Sequence, residues 1–162
     1  PNFFVAMAKL VLTPPRQRLQ TRGSSVHGKG VFALVDIPKG EVLIEYKGER
    51  ISWKKALKRH PHDPEQPNHT FYFTLEDGRV IDAAYGGSQA RWINHSCQPN
   101  CEAFEQDGRV YIRSVRAIRA GQELNYDYEL DVDGRQTAQL KRDYACHCGA
   151  KRCRGTMLAR RR

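Results

Sequence analysis

The sequence predicts a mostly β domain with few short helices. Runs of β-branched and aromatic residues recur between residues 22 and 127, and turn-forming residues interrupt them about every 8 to 12 residues. Two interruptions, Asp77-Gly78 and Asp107-Gly108, are pairs that tight β-hairpin turns prefer. A chain of 162 residues has the length of one domain and can bury a core without disulfide bonds.

The predicted strands are short and rich in residue types that suit a half-buried pleated surface. They comprise residues 31–34, 42–46, 71–75, 80–81 and 110–115. The segment that starts at Ile37 is echoed by the one that starts at Ile118, since each has a glycine three residues later and reads as a turn that leads into a strand. Two copies of this length are too short for a repeat architecture.

Three short helices are predicted. Ser52 can cap a helix that ends before Pro61, and Ser88 can cap one that reaches Ile93. A polar helix is expected over residues 135–142. Residues 60–69 contain three prolines and three histidines, and we expect an exposed loop there rather than a metal site, because the prolines prevent regular spacing of the histidines.

The chain is strongly basic. It has 27 lysines and arginines against 18 acidic residues, a formal net charge of +9. Such a surface attracts polyanions, including nucleic acid, although charge runs are more often simply solvated. No apolar stretch is long enough to span a membrane, and the N-terminus lacks the basic region of a secretory signal.

Five cysteines and no secretory signal argue against a disulfide framework. Cys146, Cys148 and Cys153 are close enough in sequence to place three thiolates around one metal ion. Tetrahedral zinc needs a fourth ligand, which Cys97 or Cys101 can supply. The alternative is a set of reduced thiols without metal. Available thiols imply an intracellular, reducing compartment.

Four motifs precede this cysteine block in a fixed order. They are His27-Gly28-Lys29-Gly30, Tyr46-Lys47-Gly48, the string RWINHSCQPN at residues 91–100 and the string ELNYDY at residues 123–128. The glycine pair alone is a weak signal, and it lacks the third glycine of a dinucleotide fingerprint.

With these motifs in this order, the chain resembles the SET-domain protein-lysine methyltransferases that carry a post-SET zinc segment. The resemblance covers roughly residues 22 to 158. It implies small curved β-sheets with a knot-like crossing, in which the loop around Asn94 passes beside the ELNYDY segment, and a minimal form without a pre-SET cysteine cluster. The implied organisation is an N-terminal segment 1–21 with Met7 as an alternative start, a SET domain 22–130 with a variable insert at about 52–70, a linker 131–145, a post-SET zinc segment 146–158 and a basic tail 159–162.

The resemblance implies that the chain binds S-adenosylmethionine. The residues expected to hold it are His27, Gly28, Lys29, Gly30, Phe71, Arg91, Asn94, His95, Tyr128 and His147. The glycines let the backbone approach the ligand, and Asn94 and His95 hold it through backbone and amide hydrogen bonds. Phe71 is expected at the aromatic wall, with its neighbour Tyr72 as the alternative.

Three tyrosines, Tyr46, Tyr126 and Tyr128, are implied to line a channel for the substrate lysine. Tyr128 is the expected catalytic residue, and a core tyrosine is the plain alternative. A hydroxyl at Tyr126 leaves little room for successive methyl groups, so we expect mono- or dimethyl-lysine as the product.

The same resemblance makes Cys97 the fourth zinc ligand beside Cys146, Cys148 and Cys153, and makes Cys101 a small buried residue. Zinc is then expected to clamp the C-terminal segment over the pocket, with His147 near the adenine.

The expected substrate is a protein that presents a lysine, above all a histone H3-like tail, with nucleic-acid or nucleosome contact through the basic surface and no membrane partner. The implied location is the nucleus or chromosome if the protein is eukaryotic or acts on host chromatin, and otherwise a bacterial cytoplasm. Two alternatives stay open: methylation of a non-histone protein (ribosomal, DNA-packaging or host), and a catalytically silent module that binds zinc and nucleic acid.

Overall fold

The computed structural model describes residues 17–60, 65 and 70–161. Within these residues the fold is mostly β, as predicted. In chain order the elements are β1 (Leu19–Gly23), β2 (Lys29–Ala33), β3 (Val42–Glu45), β4 (Glu49–Ile51), α1 (Trp53–Arg59), β5 (Tyr72–Thr74), β6 (Val80–Asp82), a 3-10 helix (Gln89–Trp92), β7 (Asn94–His95), β8 (Cys101–Gln106), β9 (Arg109–Ser114), β10 (Asn125–Tyr126) and α2 (Ala138–Asp143).

The strands form four small sheets. Strands β1 and β2 make an antiparallel pair, β3, β9 and β8 make one three-stranded sheet, and β4, β6 and β5 make another. The predicted turn at Asp107-Gly108 joins β8 to β9, and both residues have positive φ angles, 52° and 73°. Positive φ at two successive central residues fits the right-handed twist of a hairpin.

The predicted crossing is present. Strand β10 lies parallel to β7, with Asn125 opposite Asn94 and Tyr126 opposite His95. The amide of Ser96 continues this pairing by donating to the carbonyl of Tyr126 at 3.1 Å. Two distant motifs are thereby held side by side.

The two echoed segments also meet. Ile37 and Ile118 form an antiparallel bridge, with N–H to carbonyl distances of 2.7 and 2.8 Å, and both side chains are buried. Gly40 and Gly121, each three residues later, have nearly equal φ angles of 88° and 89°. The echo is therefore a pair of equivalent turns that pack against each other.

Helix starts follow the predicted caps. The Ser52 side chain accepts from the amide of Lys55 at the start of α1, and Ser88 accepts from Ala90 at the start of the 3-10 helix. The third helix, α2, is shorter than the predicted 135–142 and begins after Thr137, whose hydroxyl accepts from Leu140. The histidine-rich stretch lies largely outside the described residues, as do residues 1–16.

The core sits between the sheets and consists mainly of aliphatic side chains. Its fully buried members include Val31, Ile37, Ile81, Ile93, Val110, Ile112, Ile118 and Leu124. Across the described ranges, no helix is long and apolar enough to cross a membrane.

The C-terminal segment, residues 131–161, joins this β body through a few backbone contacts. Leu130 of the body bridges to Leu158, and its carbonyl accepts from the amide of Ala159 at 2.8 Å; a second bridge, between Ala145 and Thr156, lies within the segment itself. Within the segment, only Thr156 and Leu158 are classed as buried. The part predicted as a linker thus carries α2 and a bridge, and the domain boundaries given above stay predictions.

Candidate active site and cysteine cluster

A pocket of about 560 Å³, hereafter the tyrosine pocket, lies where the crossing meets the C-terminal segment. Its size and mixed aromatic and polar lining are typical of small-molecule sites. Ten of the residues expected to contact the cofactor or the substrate lysine line it: His27, Gly28, Lys29, Tyr46, Arg91, Asn94, His95, Tyr126, Tyr128 and His147. The structure therefore brings the four motifs and the start of the cysteine block to one cavity.

Two residues expected to bind the cofactor do not line the pocket. The ring of Phe71 packs edge-on against Trp92, with ring centroids 5.1 Å apart, while the neighbouring Tyr72 lines the cavity instead. Gly30 is buried, and a Cβ added there would lie 2.2 Å from the Oε1 atom of Glu123. The lack of a side chain at Gly30 thus leaves room for the carboxylate of Glu123. Of the two glycines, only Gly28 has free space beside its backbone.

The side chain of Asn94 holds the glycine loop in place. Its amide nitrogen donates to the carbonyl of Lys29 at 2.9 Å and to Glu123 Oε1 at 2.8 Å. The hydroxyl of Ser24 donates to the same carboxylate at 2.8 Å. Glu123 was not among the predicted site residues, although its place in the ELNYDY string offered a signal.

His95 connects the pocket to the cysteine cluster. Its Nδ1 atom accepts from the backbone amide of Tyr128 at 3.0 Å, and its Nε2 atom lies 3.4 Å from Cys97 Sγ. Desolvation by burial lowers the pKa of His95 to about 4, so the ring is neutral near pH 7. With Nδ1 accepting, the proton resides on Nε2 and faces the sulfur.

The three predicted channel tyrosines meet in the pocket. The rings of Tyr126 and Tyr128 are 4.9 Å apart. The Tyr128 hydroxyl donates to the carbonyl of Ile93 at 2.5 Å, and the Tyr46 hydroxyl donates to the carbonyl of Phe71 at 2.9 Å. The Tyr126 hydroxyl has no hydrogen-bond partner within the described part of the chain. It is the hydroxyl left available to a ligand.

Burial keeps these hydroxyls protonated. Desolvation raises the pKa of Tyr126, and it raises the pKa of Tyr46 and Tyr128 well above the usual value, with a further contribution from the neighbouring tyrosines. The pocket therefore offers neutral aromatic walls near pH 7.

Sequence reasoning missed several lining residues. Leu130 and Met157 enter the pocket from the C-terminal segment and its junction with the body, and Trp92 forms part of the wall. The ammonium of Lys29 lies 4.7 Å from the centre of the Trp92 ring. No local pattern marks Met157, because its position depends on how the C-terminal segment docks.

The cysteine cluster contains Cys97, Cys146, Cys148 and Cys153, whose sulfurs all lie within 4.8 Å of one another. Cys97 Sγ is 3.7 Å from Cys146 Sγ and 3.9 Å from Cys153 Sγ. Zinc–sulfur bonds of about 2.3 Å in a tetrahedron require sulfurs about 3.8 Å apart. The geometry thus suits a closed zinc site and selects Cys97; Cys101 is buried at the start of β8.

Backbone amides surround the cluster with donors. Arg154 N–H points to Cys97 Sγ at 3.4 Å, and Gly155 N–H points to Cys153 Sγ at 3.3 Å. Cys148 N–H points likewise to Cys146 Sγ at 3.4 Å. Amide donors stabilise thiolate charge, which is the form that binds metal.

Two further features of the pocket suit a polar ligand. The Nε atom of Arg91 is buried without a hydrogen-bond partner in the described chain, and a buried donor of this kind calls for an acceptor. Gly28 has a φ of 38°, and nothing lies within 4 Å of the place a Cβ would take. The glycine loop therefore offers open backbone, and Arg91 a donor, to a polar ligand.

Comparison with known proteins agrees with this geometry. Residues 28–129 match the SET domain. Histone-lysine N-methyltransferase 2D of Homo sapiens is 38% identical over 138 residues, which cover 83% of this chain and 2% of that protein. Histone-lysine N-methyltransferase trithorax of Drosophila virilis is 36% identical over 135 residues, 81% of this chain and 3% of its own length.

A third relative, histone-lysine N-methyltransferase trr of Drosophila melanogaster, is 35% identical over 146 residues, 88% of this chain and 6% of its own length. The chain thus corresponds to a small part of these relatives. Because the match to the SET domain spans more than half of the chain, and a cysteine cluster consistent with a post-SET zinc site follows it, this protein belongs to the SET-domain family.

Proposed function

We propose that the chain is a protein-lysine N-methyltransferase that uses S-adenosylmethionine and acts on a histone. The observation that carries this proposal is the single pocket that gathers the glycine loop, the Asn94–His95 strand and the three tyrosines. The names of the relatives, all histone-lysine N-methyltransferases, support the substrate class.

The residues on the loop side of the pocket are suited to hold the cofactor. They are His27, Gly28, Lys29, Arg91, Asn94, His95 and His147. When bound, S-adenosylmethionine supplies an electrophilic methyl group on a sulfonium. The fixed loop, pinned by the Asn94 amide, presents its backbone without needing to order on binding, which lowers the entropic cost of association.

The tyrosine side is suited to hold the substrate amine. An exposed lysine titrates near 10.4, so a neutral amine at pH 7 costs about 4 to 5 kcal/mol. The neutral aromatic walls disfavour the ammonium form and reduce this cost. Tyr128, fixed on the Ile93 carbonyl, positions the amine from one side. Alignment of the reacting atoms then supplies much of the rate.

The free hydroxyl of Tyr126 limits the product. Since Tyr46 and Tyr128 donate to backbone carbonyls, Tyr126 is the tyrosine able to bind the amine or a water beside it. That contact leaves little room for successive methyl groups. The product is therefore mono- or dimethyl-lysine, and Tyr126→Phe is expected to raise the methylation state. Efficient trimethylation by the unaltered protein, seen by mass spectrometry, would contradict this.

Zinc holds the C-terminal wall of the pocket. Cys97 belongs to the body, whereas Cys146, Cys148 and Cys153 belong to the C-terminal segment, so one ion bridges the two. Cys146 and the adjacent His147 line the pocket themselves. The metal is thereby assigned a structural role.

The acidic run at residues 127–133, which contains Asp127, Glu129, Asp131 and Asp133, is suited to a basic substrate in part only. Asp127 is engaged by Arg154, with contacts of 2.6 and 3.0 Å. Glu129, Asp131 and Asp133 are exposed and form no ion pair within the described residues. These three carboxylates, rather than the whole run, are the candidates for contact with a histone tail.

A methyl-transfer assay tests the proposal. The purified chain is incubated with labelled S-adenosylmethionine and core histones, nucleosomes or a bacterial lysate. We expect label on a histone lysine and a loss of at least about 100-fold in kcat for Tyr128→Phe, the scale of removing one positioned hydroxyl at a reacting centre. Tyr111→Phe, on β9 and outside the pocket, is the matched control and should retain activity.

The other outcomes are equally informative. Label on a non-histone lysate protein alone would keep the enzyme and remove the histone substrate. If S-adenosylmethionine produced no thermal shift and no label were found anywhere, the chain would be a silent binding module instead.

A further inference from the structure

A second, open pocket of about 670 Å³ lies on the C-terminal segment. Its charged lining consists of Arg135, Lys141, Arg154, Arg160 and Arg161. We call the surface formed by Arg135, Lys141, Arg160 and Arg161 the basic face. None of these four residues belongs to the tyrosine pocket or the cysteine cluster.

Basic residues greatly outnumber acidic residues in the C-terminal segment. From Arg135 to Arg161 the sequence has eight lysines and arginines and one acidic residue, Asp143. A zinc ion with four thiolates carries a net charge of −2, which leaves the segment strongly positive. The segment is therefore more basic, for its length, than the chain as a whole, whose net charge is +9.

The charges of the basic face are not used within the fold. Arg154, beside it, forms an ion pair with Asp127. By contrast, Arg135, Lys141 and Arg160 are exposed, and their side chains form no hydrogen bond or ion pair with any described residue. Arg161 donates to the carbonyls of Val132 and Gly134, which orients its guanidinium without neutralising it.

The basic face lies directly behind the tyrosine pocket. Met157 lines the tyrosine pocket, whereas its neighbours Thr156 and Leu158 line the basic pocket, as alternating residues of an extended segment do. Helix α2 also contributes to both pockets: Asp143 lines the tyrosine pocket, and Lys141 lines the basic one. A ligand on the basic face would thus be held one strand away from the proposed reaction.

We infer that the basic face binds the phosphate backbone of duplex nucleic acid. Spread, exposed lysine and arginine side chains are the groups that contact backbone phosphates. No aromatic residue lines this pocket, so it lacks the stacking platform that single strands use. It also lacks an exposed apolar anchor of the kind that dominates protein interfaces, since Leu158 is buried.

The consequence for catalysis rests on the proposed function. If the substrate is a histone, its nucleic acid would dock on the basic face while a tail lysine reaches the tyrosine pocket on the other side of Met157. Binding itself is independent of methyl transfer, because it needs neither cofactor nor lysine.

Fluorescence anisotropy of a labelled DNA duplex of about 20 base pairs tests the inference, with the zinc-loaded chain, without S-adenosylmethionine, over a series of NaCl concentrations. The variant combines Arg135→Gln, Lys141→Gln and Arg160→Gln, three exposed residues whose side chains have no partner in the described fold. The control combines Lys39→Gln, Lys54→Gln and Arg119→Gln, which remove the same charge from exposed positions on the body.

We expect the face variant to weaken binding by at least about tenfold at 0.1 M salt and to flatten the slope of log K against log salt by about 3, one for each lost phosphate contact. The control should keep both values close to those of the unaltered chain. Equal losses in the two variants would overturn the inference, since net charge alone would then explain binding.

Equal affinity for polyglutamate would also overturn it, because the face would then accept any polyanion. The failure of the proposed function has a different signature: a chain that binds the duplex through this face yet transfers no methyl group would refute the methyltransferase and keep the basic face.

Discussion

The β body and the C-terminal segment are stabilised by different means. The body, from Gln17 to Leu130, encloses a continuous aliphatic core, with residues such as Val31 and Ile112 fully buried. The C-terminal segment buries only Thr156 and Leu158 among its described residues, and its helix α2 buries none. About 30 residues with so little apolar burial cannot offset their own conformational entropy.

Other interactions therefore have to fix the segment. Three of the four clustered sulfurs come from the segment and one from the body. The Arg154–Asp127 ion pair and the bridge between Leu130 and Leu158 also join the segment to the body. The tyrosine pocket is thus built partly by the body, with its hydrophobic core, and partly by the C-terminal segment, residues 131–161, hereafter the strap. The proposed zinc site would hold the strap in place, and we expect the two halves to be lost separately.

Removing one zinc ligand should have the largest effect, because it should release the C-terminal segment from the body. Cys153→Ser, or chelation of the metal, should abolish methyl transfer, because the wall containing Cys146, His147 and Met157 detaches. Structural zinc contributes on the order of 10 kcal/mol to such a segment. The β body should remain folded, as judged by far-ultraviolet circular dichroism, while metal analysis shows no bound zinc.

Cys101→Ala is the matched control. Cys101 is buried in the body and lies outside the cluster, so the variant should keep its zinc and its activity and lose only about 1 kcal/mol of stability. Full activity of zinc-free protein would contradict the proposal that zinc holds the C-terminal segment over the pocket. Complete unfolding of Cys153→Ser would refute the independence of the body.

A substitution in the body should disturb the wall of the pocket that the glycine loop forms. In Gly30→Ala the new methyl would meet Glu123 Oε1, and the carboxylate cannot move without breaking its contacts with Ser24 and Asn94. Such overpacking costs about 1 to 3 kcal/mol. We expect cofactor affinity, measured by calorimetry, to fall about tenfold with zinc content unchanged.

Gly23→Ala provides the comparison, since nothing lies within 4 Å of its added Cβ and its φ is ordinary. It should bind cofactor normally. If both alanine variants behaved alike, the fixed carboxylate at Gly30 would not be what shapes the loop.

The body was also the more predictable half. Strands β2, β3 and β9 were identified because Val31, Val42 and Val110 stand in runs of apolar residues that favour strands. Strands β4 and β8 were missed, since charged residues such as Glu49 and Glu102 dominate them and their pairing depends on a distant partner.

The residues of the candidate site also differ in how well the sequence predicted them. Residues inside the motifs, such as Asn94 and Tyr128, were identified directly and lie in the pocket. Spacing alone left Cys97 and Cys101 as equal alternatives; the resemblance chose Cys97, and the fold brings that sulfur to the cluster. Met157 could not be found at all, because docking of the strap is a long-range event.

Weakening the ion pair between the halves should have a smaller effect. Burial opposes ionisation of Asp127, but hydrogen bonds and charge from Arg154 outweigh it and hold the pKa of Asp127 below its usual range. In Asp127→Asn the half-buried Arg154 loses its counter-charge. We expect about 1 kcal/mol of destabilisation, faster hydrogen exchange in residues 131–161, and unchanged exchange in β9.

Glu102→Gln removes an acid from the exposed Arg113 pair within one sheet of the body. Its effect should stay within about 0.5 kcal/mol. Equal effects of the two variants would show that the Asp127 pair does not join the halves.

The smallest effect concerns tyrosine ionisation. Burial raises the pKa of Tyr46, Tyr126 and Tyr128 in the folded chain, so their contribution to stability is present below pH 10 and is lost as the pH rises towards the folded pKa. Tyr46 packs against Phe73 and the Phe71 carbonyl, both in the body. Tyr126 and Tyr128 face the wall that the strap supplies.

Releasing the strap should therefore lower the pKa of Tyr126 and Tyr128 by a fraction of a pH unit and leave that of Tyr46 unchanged. Absorbance at 295 nm during an alkaline titration measures this, with Cys153→Ser compared to the unaltered chain and Tyr46→Phe used to assign the constant component. Water reaches the hydroxyls of Tyr126 and Tyr128 only if the wall has moved, so identical titration curves would mean that the body closes the tyrosine pocket by itself.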